Sequence, residues 1–288
     1  MAVEYKIGGL NIIAINEITP PALSKLSEAM RLARAAVHEA AEKVVIALHV
    51  VRDAQDSGFD AGESVQMLHP DFYRHMVVHF RLSSTPQVFE ALEGLSLKLQ
   101  RLIAGMRSPS LRLAEFGYHW MRPSGPGVVA YVTKPLSHVL FGGPSTNGCL
   151  NTNPAGYHNS NDINLRFDKI VSTRMEDLVD TLIHECTHKY LGTDDLCVSG
   201  LPFKAVAEYE AQYQALGVAA PLGPLQALSP VQAINDAYVM TNYILQMPDV
   251  DLWAAAADMA SLIRSANQSI GGQESNLRVF KSIGNEDL

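Results

Sequence analysis

The stretch that decides the fold class of this sequence is TLIHECTHKYLGTDDL, residues 181–196. It contains two histidines four residues apart, His184 and His188, with Glu185 directly after the first. Side chains four residues apart on an α-helix are neighbours on one face. Two imidazoles placed in this way can bind one metal ion, and the glutamate between them can contact a water molecule bound to that ion. The alternative is a solvated polar face that carries two ordinary histidines.

The residues around the motif predict a helix that points both histidines the same way. Thr173 and Glu176 have the spacing of a capping box, which predicts a helix start just before Arg174. Gly192 predicts the helix end, because glycine readily adopts the left-handed conformation found there. At about 100° per residue both histidines fall opposite an apolar face, with the intervening glutamate at the border. The apolar face consists of Met175, Leu178, Val179, Leu182, Ile183 and Cys186.

A third metal ligand is expected directly after this helix. A catalytic zinc site needs three protein ligands and leaves its fourth position to water. The run GTDD, residues 192–195, supplies two carboxylates, Asp194 and Asp195. One carboxylate beside two neutral imidazoles leaves a zinc centre with a net positive charge, which can still acidify water and polarise a carbonyl group. Taken alone, an aspartate pair after a helix is an ordinary turn. Together with the histidines, it indicates a zinc site.

The strand pattern predicts only a small sheet. VEYKI (3–7) and LNIIAI (10–15), joined by Gly8 and Gly9, predict an N-terminal β-hairpin, because paired glycines tolerate the positive φ of a tight turn. VVAYVT (128–133) predicts a further strand. DINLRF (162–167) alternates apolar and polar residues, as an edge or half-buried strand does.

The rest of the chain is predominantly helical in pattern, so the sequence predicts the α+β class. The spacing of apolar residues predicts a long helix over 19–54, two helices within 71–106, and further helices near 203–215, 230–247 and 250–266. No internal repeat or composition shift marks a domain boundary. We therefore predict an N-terminal β-hairpin extension (1–18), one catalytic domain (19–266) and a C-terminal tail (267–288).

Composition and charge exclude several classes of function. The net charge of -8, with no long basic run, argues against nucleic acid as the main partner and against docking on an anionic membrane. No apolar run reaches the length of about 18 residues that a membrane span needs, so no membrane insertion is expected. The three cysteines give no disulfide framework, although one disulfide stays open. The N-terminal residues lack a secretion signal, which predicts a cytoplasmic protein or one exported by a specialised route, as an effector protease would be.

At the level of motifs, HECTH followed by GTDD resembles the aspzincins, the family of deuterolysin-like and lysine-specific zinc metalloendopeptidases. The resemblance implies that His184, His188 and Asp195 hold Zn²⁺ and that Glu185 is the general base. Asp194 is an alternative ligand, because it stands six residues after His188, the offset found in another clan of zinc proteases.

The flanking segments are similar to the same family. AYVTK (130–134) and INLRF (163–167) resemble the two strands before the active helix, and AINDAYVMTNYI (233–244) resembles a later helix of the family. The family expects Tyr-Gly shortly after the aspartate, and here the run is LCVSG. The hydrogen bond that this tyrosine donates to the transition state would then come from Tyr238 or Tyr190.

The resemblance therefore implies a zincin-like metalloprotease fold, with a small sheet beside the motif helix, that hydrolyses protein or peptide substrates. Two alternatives stay open: a zincin-fold binding protein with weak or no catalytic activity, and a zinc hydrolase of a non-peptide amide. Two other features have simpler interpretations. His75 and His79 have the same spacing as the motif histidines but no glutamate between them, which favours helix packing, and Cys186 lies on the apolar face as a core thiol.

Overall fold

The computed structural model describes residues 2–115, 130–132, 162–193 and 228–269. These residues form a mostly helical α+β fold with a small mixed sheet, in agreement with the class predicted from the sequence. The helix predicted near 203–215 lies outside the described residues, as do residues 270–288 of the predicted tail (267–288). The last described helix continues to Ser269, three residues into that predicted tail. The boundaries proposed for the extension, the catalytic domain and the tail stay predictions.

The described helices follow the predicted periodicity with two exceptions: the helix at 61–68 was not predicted, and the segment near residue 235 is broken. They are α1 (Pro20–Asp56), α2 (Ala61–Leu68), α3 (Pro70–Phe80), α4 (Thr85–Arg107), α5 (Met175–Leu191), α6 (Pro230–Ala233), α7 (Ala237–Leu245) and α8 (Leu252–Ser269). The strands are β1 (Val3–Ile7), β2 (Leu10–Ala14), β3 (Arg112–Glu115), β4 (Ala130–Val132) and β5 (Ile163–Leu165). A short 3₁₀ turn, Phe167–Lys169, leads from β5 towards α5.

The sheet has the order β1-β2-β3-β5-β4. The hairpin of β1 and β2 is antiparallel, and Gly8 and Gly9 adopt φ angles of 55° and 73° in its turn, which confirms the predicted hairpin. β2 pairs in parallel with β3, and β3 pairs in parallel with β5. The hairpin therefore supplies two strands of the sheet that lies beside the motif helix.

Strand β5 is an interior strand, so the prediction of an edge or half-buried strand is wrong. It pairs with β3 on one side and with β4 on the other, and all three of its residues are buried. The polar residue that produced the apparent alternation is Asn164, which is fully buried. Its side-chain amide donates a hydrogen bond to the carbonyl oxygen of Asp162, at 3.0 Å. A polar side chain with such a partner can be buried, and its alternation with apolar neighbours then gives no information about solvent.

The segment 230–247 forms two helices instead of the single predicted one. The break falls at Asn235 and Asp236, between α6 and α7. The Asp236 carboxylate accepts a hydrogen bond from the backbone N–H of Val239 at 2.8 Å and caps the start of α7. An aspartate whose side chain takes up a backbone donor favours a helix start over a helix interior.

Helix α1 is the central element of the core. It spans 37 residues and packs against α2, α4, α5, α7 and α8. Its buried face includes a run of small residues, which lets neighbouring helices approach closely. These are Ala29, Ala33, Ala40 and Ala47, each with no exposed surface.

Helix α5 also packs against α4, where a glycine makes room for a tyrosine. A Cβ atom added at Gly105 would lie 2.3–2.7 Å from three ring carbons of Tyr190, well inside van der Waals contact. These carbons belong to the inner part of the ring, so the ring cannot move aside at low cost. Gly94, on the same helix, has free space, because an added Cβ would meet only Ile234 at 3.8 Å.

We expect Gly105→Ala to lower the free energy of unfolding by about 2 kcal/mol, since the added methyl group overlaps the Tyr190 ring. The matched variant Gly94→Ala should raise it by up to about 1 kcal/mol, because alanine favours the helix and nothing opposes it at that position. Urea unfolding followed by circular dichroism measures both changes. Equal effects of the two substitutions would contradict the close approach of α4 and α5.

Candidate metal centre

The motif helix α5 begins and ends close to the predicted positions, but it is not capped in the predicted way. Arg174 is the N-terminal cap residue, and no side chain caps the helix there. The Thr173 hydroxyl instead donates to the carbonyl oxygen of Lys169 at 2.8 Å, so the predicted capping box is wrong. At the other end Gly192 adopts a φ of 67° and its N–H donates to the carbonyl oxygen of His188, which confirms the predicted glycine cap.

The predicted division of α5 into two faces is confirmed. The apolar residues from Leu178 to Cys186 are buried, whereas both histidines are half-buried on the other side. Burial raises the pKa of the Cys186 thiol to about 12, and nearby Lys189 opposes this effect only in part. A fully buried thiol with such a high pKa is unreactive, which agrees with its assignment to the core.

The two histidines converge through one nitrogen each. Their Nε2 atoms lie 3.1 Å apart, and the two rings are nearly perpendicular, at 88°. A tetrahedral zinc ion with Zn–N bonds of about 2.0–2.1 Å needs its two ligand nitrogens about 3.3–3.4 Å apart. The pair therefore fits the coordination geometry of one zinc ion with a shift of a few tenths of an ångström.

The hydrogen bond on the far side of His188 leaves its Nε2 atom able to bind a cation. Nδ1 of His188 lies 2.8 Å from the carbonyl oxygen of Thr193. A carbonyl oxygen only accepts hydrogen bonds, so Nδ1 carries the proton and Nε2 carries the lone pair. Metal-binding histidines commonly donate their second N–H to such an oxygen, which fixes the ring.

Two carboxylates lie close to these imidazoles on the same helix. Glu185 is only 5% exposed, which is unusual for a glutamate. Asp180 stands one turn before His184, and burial raises the pKa of its carboxyl group, with His184 acting in the opposite direction. Asp180 was not among the predicted site residues, although it stands four residues before His184 in the sequence.

The described residues contain two of the predicted metal ligands. Asp194 and Asp195 lie outside the described ranges, so the choice between them stays a prediction. Within those ranges no group of three or more histidine, cysteine, aspartate or glutamate side chains converges on one point. The last described residue of this segment is Thr193, which is buried against the helix.

The two candidate tyrosines occupy different places. The ring of Tyr238, on α7, lies with its centroid 4.4 Å from that of His184. Tyr190 is 2% exposed and packs on Gly105 in the interface between α5 and α4. The structure brings Tyr238 together with the histidines and places Tyr190 in the helix interface.

Helix α7, which carries Tyr238, is held at its C-terminal end by α3 and α1. Nε2 of His75 lies 2.8 Å from the carbonyl oxygen of Tyr243, and the His75 ring stacks on the Tyr243 ring with the centroids 4.8 Å apart. The Lys43 ammonium donates to the carbonyl oxygen of Pro248 at 2.7 Å. His79 donates from Nδ1 to the carbonyl oxygen of His75 at 2.9 Å. These contacts confirm that His75 and His79 serve helix packing.

Burial makes the protein dependent on a neutral His75. Burial lowers the pKa of His75 from 6.5 to about 4, the hydrogen bond to Tyr243 opposes this, and nearby His79 and Lys43 lower the pKa further. At a pH between these two pKa values, His75 is protonated in the unfolded chain but stays neutral in the folded protein. The contribution of His75 to stability is therefore complete above pH 6.5 and is lost as the pH falls towards 4.

We expect wild type to lose about 1–2 kcal/mol of unfolding free energy through His75 between pH 7 and pH 4.5, a range that allows for the partly exposed ring. His75→Gln keeps a donor for the Tyr243 carbonyl and does not titrate, so it should lose correspondingly less. His49→Gln, on the exposed surface of α1, should follow wild type. Urea unfolding at the two pH values measures the differences, and identical pH dependence in all three proteins would refute the prediction.

Comparisons of the chain with protein-family models, with curated proteins and with solved structures found no match. Among the described helices, none has the length and apolar character needed to cross a bilayer.

Proposed function

We propose that this protein is a zinc-dependent metalloendopeptidase of the aspzincin type. His184, His188 and Asp195 would hold Zn²⁺, with Asp194 as the alternative third ligand. The observation that carries the proposal is the convergence of the two Nε2 atoms at 3.1 Å, together with the hydrogen bond from His188 Nδ1 to the Thr193 carbonyl. An ordinary pair of surface histidines needs neither this convergence nor the partly buried hydrogen bond behind His188.

The chemistry follows from the groups around this pair. Bound Zn²⁺ would supply Lewis acidity, which would polarise the scissile carbonyl group and acidify a water molecule. Glu185 takes the proton from the attacking water and passes it to the leaving amine, which is the work of a general base and then of a general acid. Its position directly after His184, on the border of the same face, supports this role.

Tyr238 is the donor that we propose for the oxyanion. Its ring lies beside His184, and α7 is fixed by the Asp236 cap at its start and by the contact with His75 at its end. A donor that is held in place before the reaction stabilises developing charge at little reorganisation cost. The run LCVSG contains no tyrosine after the aspartates, so a donor from another element is needed.

The test combines metal analysis with cleavage of an unstructured protein. We expect purified wild type to contain one zinc per chain and to cut casein-like substrates at internal peptide bonds. A chelator should stop the cleavage, and added zinc should restore it. Bound zinc without cleavage would support the alternative of a zincin-fold binding protein. Cleavage confined to non-peptide amides would support the alternative of a zinc hydrolase of such amides. Failure to bind added zinc would overturn the site assignment altogether.

A further inference from the structure

Strand β1 (Val3–Ile7) forms one edge of the sheet, and within the described residues it pairs only with β2. The two-residue turn of this hairpin makes Ile7 and Leu10, which flank it, a hydrogen-bonded pair. Hydrogen-bonded and non-hydrogen-bonded pairs alternate along an antiparallel ladder, so the N–H and C=O groups of Glu4 and Lys6 point away from β2. The outer edge of β1 therefore offers backbone donors and acceptors to a further strand.

The side chains of β1 divide into a charged face and an apolar face. Glu4 and Lys6 are exposed on one face, and in the part of the chain that the structure describes neither takes part in an ion pair. Val3, Tyr5 and Ile7 lie on the other face and are half-buried, and the last two pack against the core. A strand with one negative and one positive charge in this arrangement can be complementary to a second copy of itself.

We propose that β1 is a dimerisation strand, which pairs antiparallel with β1 of a second copy of this chain about a two-fold axis at Tyr5. In this register Glu4 lies opposite Lys6 of the second copy, and the reverse pair follows by symmetry. Both pairs are of the hydrogen-bonded kind, because these two residues carry the outward backbone groups. On the other face Val3 lies opposite Ile7 of the second copy. The sheet then continues from one copy into the other.

Charge selects this register over its neighbours. Residues with outward backbone groups must lie opposite each other, so the register can shift only in steps of two residues. A shift in one direction places Glu4 opposite Glu4 of the second copy, and a shift in the other direction places Lys6 opposite Lys6. Opposite charges across a strand pair stabilise it, whereas like charges destabilise it. Charged residues commonly protect an edge strand from association, but here their alternating sign favours association in one register.

The dimer should be weak and should depend on concentration. A strand of five residues forms an interface smaller than that of a stable complex, so we expect a dissociation constant in the micromolar range. Sedimentation velocity over about a hundredfold range of protein concentration should show the monomer converting into a species of twice its mass. A protein that stays monomeric over the whole range would overturn the proposal.

Reversing either charge should weaken the dimer. Glu4→Lys places a lysine opposite Lys6 in both symmetry-related pairs, and Lys6→Glu produces two negative pairs in the same way. Each variant should raise the dissociation constant at least about tenfold. Glu17→Lys is the matched control, because it changes the net charge as Glu4→Lys does, at an exposed position outside β1. Equal dissociation constants for wild type and Glu4→Lys would show that another surface mediates the association, which would overturn the proposal.

The sharpest test mixes the two variants. Glu4→Lys carries two positive charges on β1 and Lys6→Glu carries two negative charges, so every charged pair between them is attractive in the proposed register. The mixture should therefore form a heterodimer at least as stable as the wild-type dimer. The chain with both changes should dimerise with itself within about threefold of wild type, because its charges are only exchanged. If neither the mixture nor the double variant associated, the pairing of these charges would be refuted.

Hydrogen exchange measured by NMR on the deuterated protein identifies the strand directly. The amide N–H groups of Glu4 and Lys6 should exchange more slowly as the concentration rises through the dissociation constant, because they then donate to the second copy. The N–H of Tyr5 already bonds to β2 and should change little. A dimer without this slowing at Glu4 and Lys6 would contradict the proposal. The zinc site plays no part in any of these measurements, so their outcome is independent of the proposed function.

Discussion

Glu185→Gln is expected to reduce peptide hydrolysis by about a thousandfold while the protein retains its zinc. Glutamine has nearly the shape of glutamate but cannot take a proton from water, so the substitution removes the proposed general base and leaves the histidines in place. The side chain is buried, and a neutral amide is easier to bury than a carboxylate, so stability should not suffer. Initial rates of cleavage of a fluorescent peptide, with zinc content measured on the same samples, give the two quantities.

The matched control for this prediction is Glu176→Gln. Glu176 lies in the first turn of the same helix and is exposed to solvent, so this variant changes the charge of α5 by the same amount. It should retain wild-type rates. An active Glu185→Gln protein would exclude Glu185 as the base, even if zinc were bound as proposed.

The second large effect is expected for the proposed metal ligands. His184→Ala or His188→Ala should each weaken zinc binding by about a thousandfold or more, well beyond the roughly 10- to 100-fold typical of residues that only orient a ligand. Each substitution removes one of the three proposed protein donors and would leave an incomplete coordination shell. Zinc content after dialysis and competition with a zinc-binding dye measure the loss.

His38→Ala is the control for the ligand variants, because His38 lies exposed on α1 and forms part of no histidine pair in the motif. It should bind zinc as wild type does. Circular dichroism of the metal-free proteins separates a lost ligand from a lost fold. Full zinc binding by His188→Ala would show that the zinc is held by other residues.

Features that depend on neighbouring residues could be predicted from the sequence. The two faces of α5 follow from the spacing of its apolar residues, and the helix end follows from Gly192, which alone among the nearby residues adopts a left-handed φ at little cost. The hairpin likewise follows from Gly8 and Gly9. In each case the decisive interaction lies within a few positions along the chain.

The predictions that failed depended on competition between hydrogen-bond partners. Thr173 had the sequence spacing of a cap, but its hydroxyl donates to Lys169 instead. Asn164 looked like a solvent-facing residue and is buried with the Asp162 carbonyl as its acceptor. Asp236 ended one helix and started another by taking up the N–H of Val239. Composition and periodicity do not determine with which of several nearby groups a polar side chain forms its hydrogen bond.

The proposed site combines both kinds of feature. The spacing of the histidines and the glutamate is local, and it was visible in the sequence. The position of Tyr238 beside His184 depends on the packing of α7 against α5, and the two residues are 54 positions apart in the chain. The sequence alone therefore could not decide between Tyr238 and Tyr190. The hydrogen bond between the hydroxyl groups of Thr187 and Thr193 spans only six residues. Predicting it would still have required the direction in which the chain turns after Gly192.

The sheet order has a consequence for how the chain reaches this structure. The hairpin of β1 and β2 joins neighbouring residues and can form within about 1–10 μs. Its parallel partner β3 is about one hundred residues later, as the pairing of Asn11 with Arg112 shows, and β5 must then add to β3. Pairings between distant segments form slowly because a long loop must close first. We therefore expect the hairpin and the helices of the first half to acquire hydrogen-exchange protection early in refolding, and β5 to acquire it late, just before α5 settles on the completed sheet.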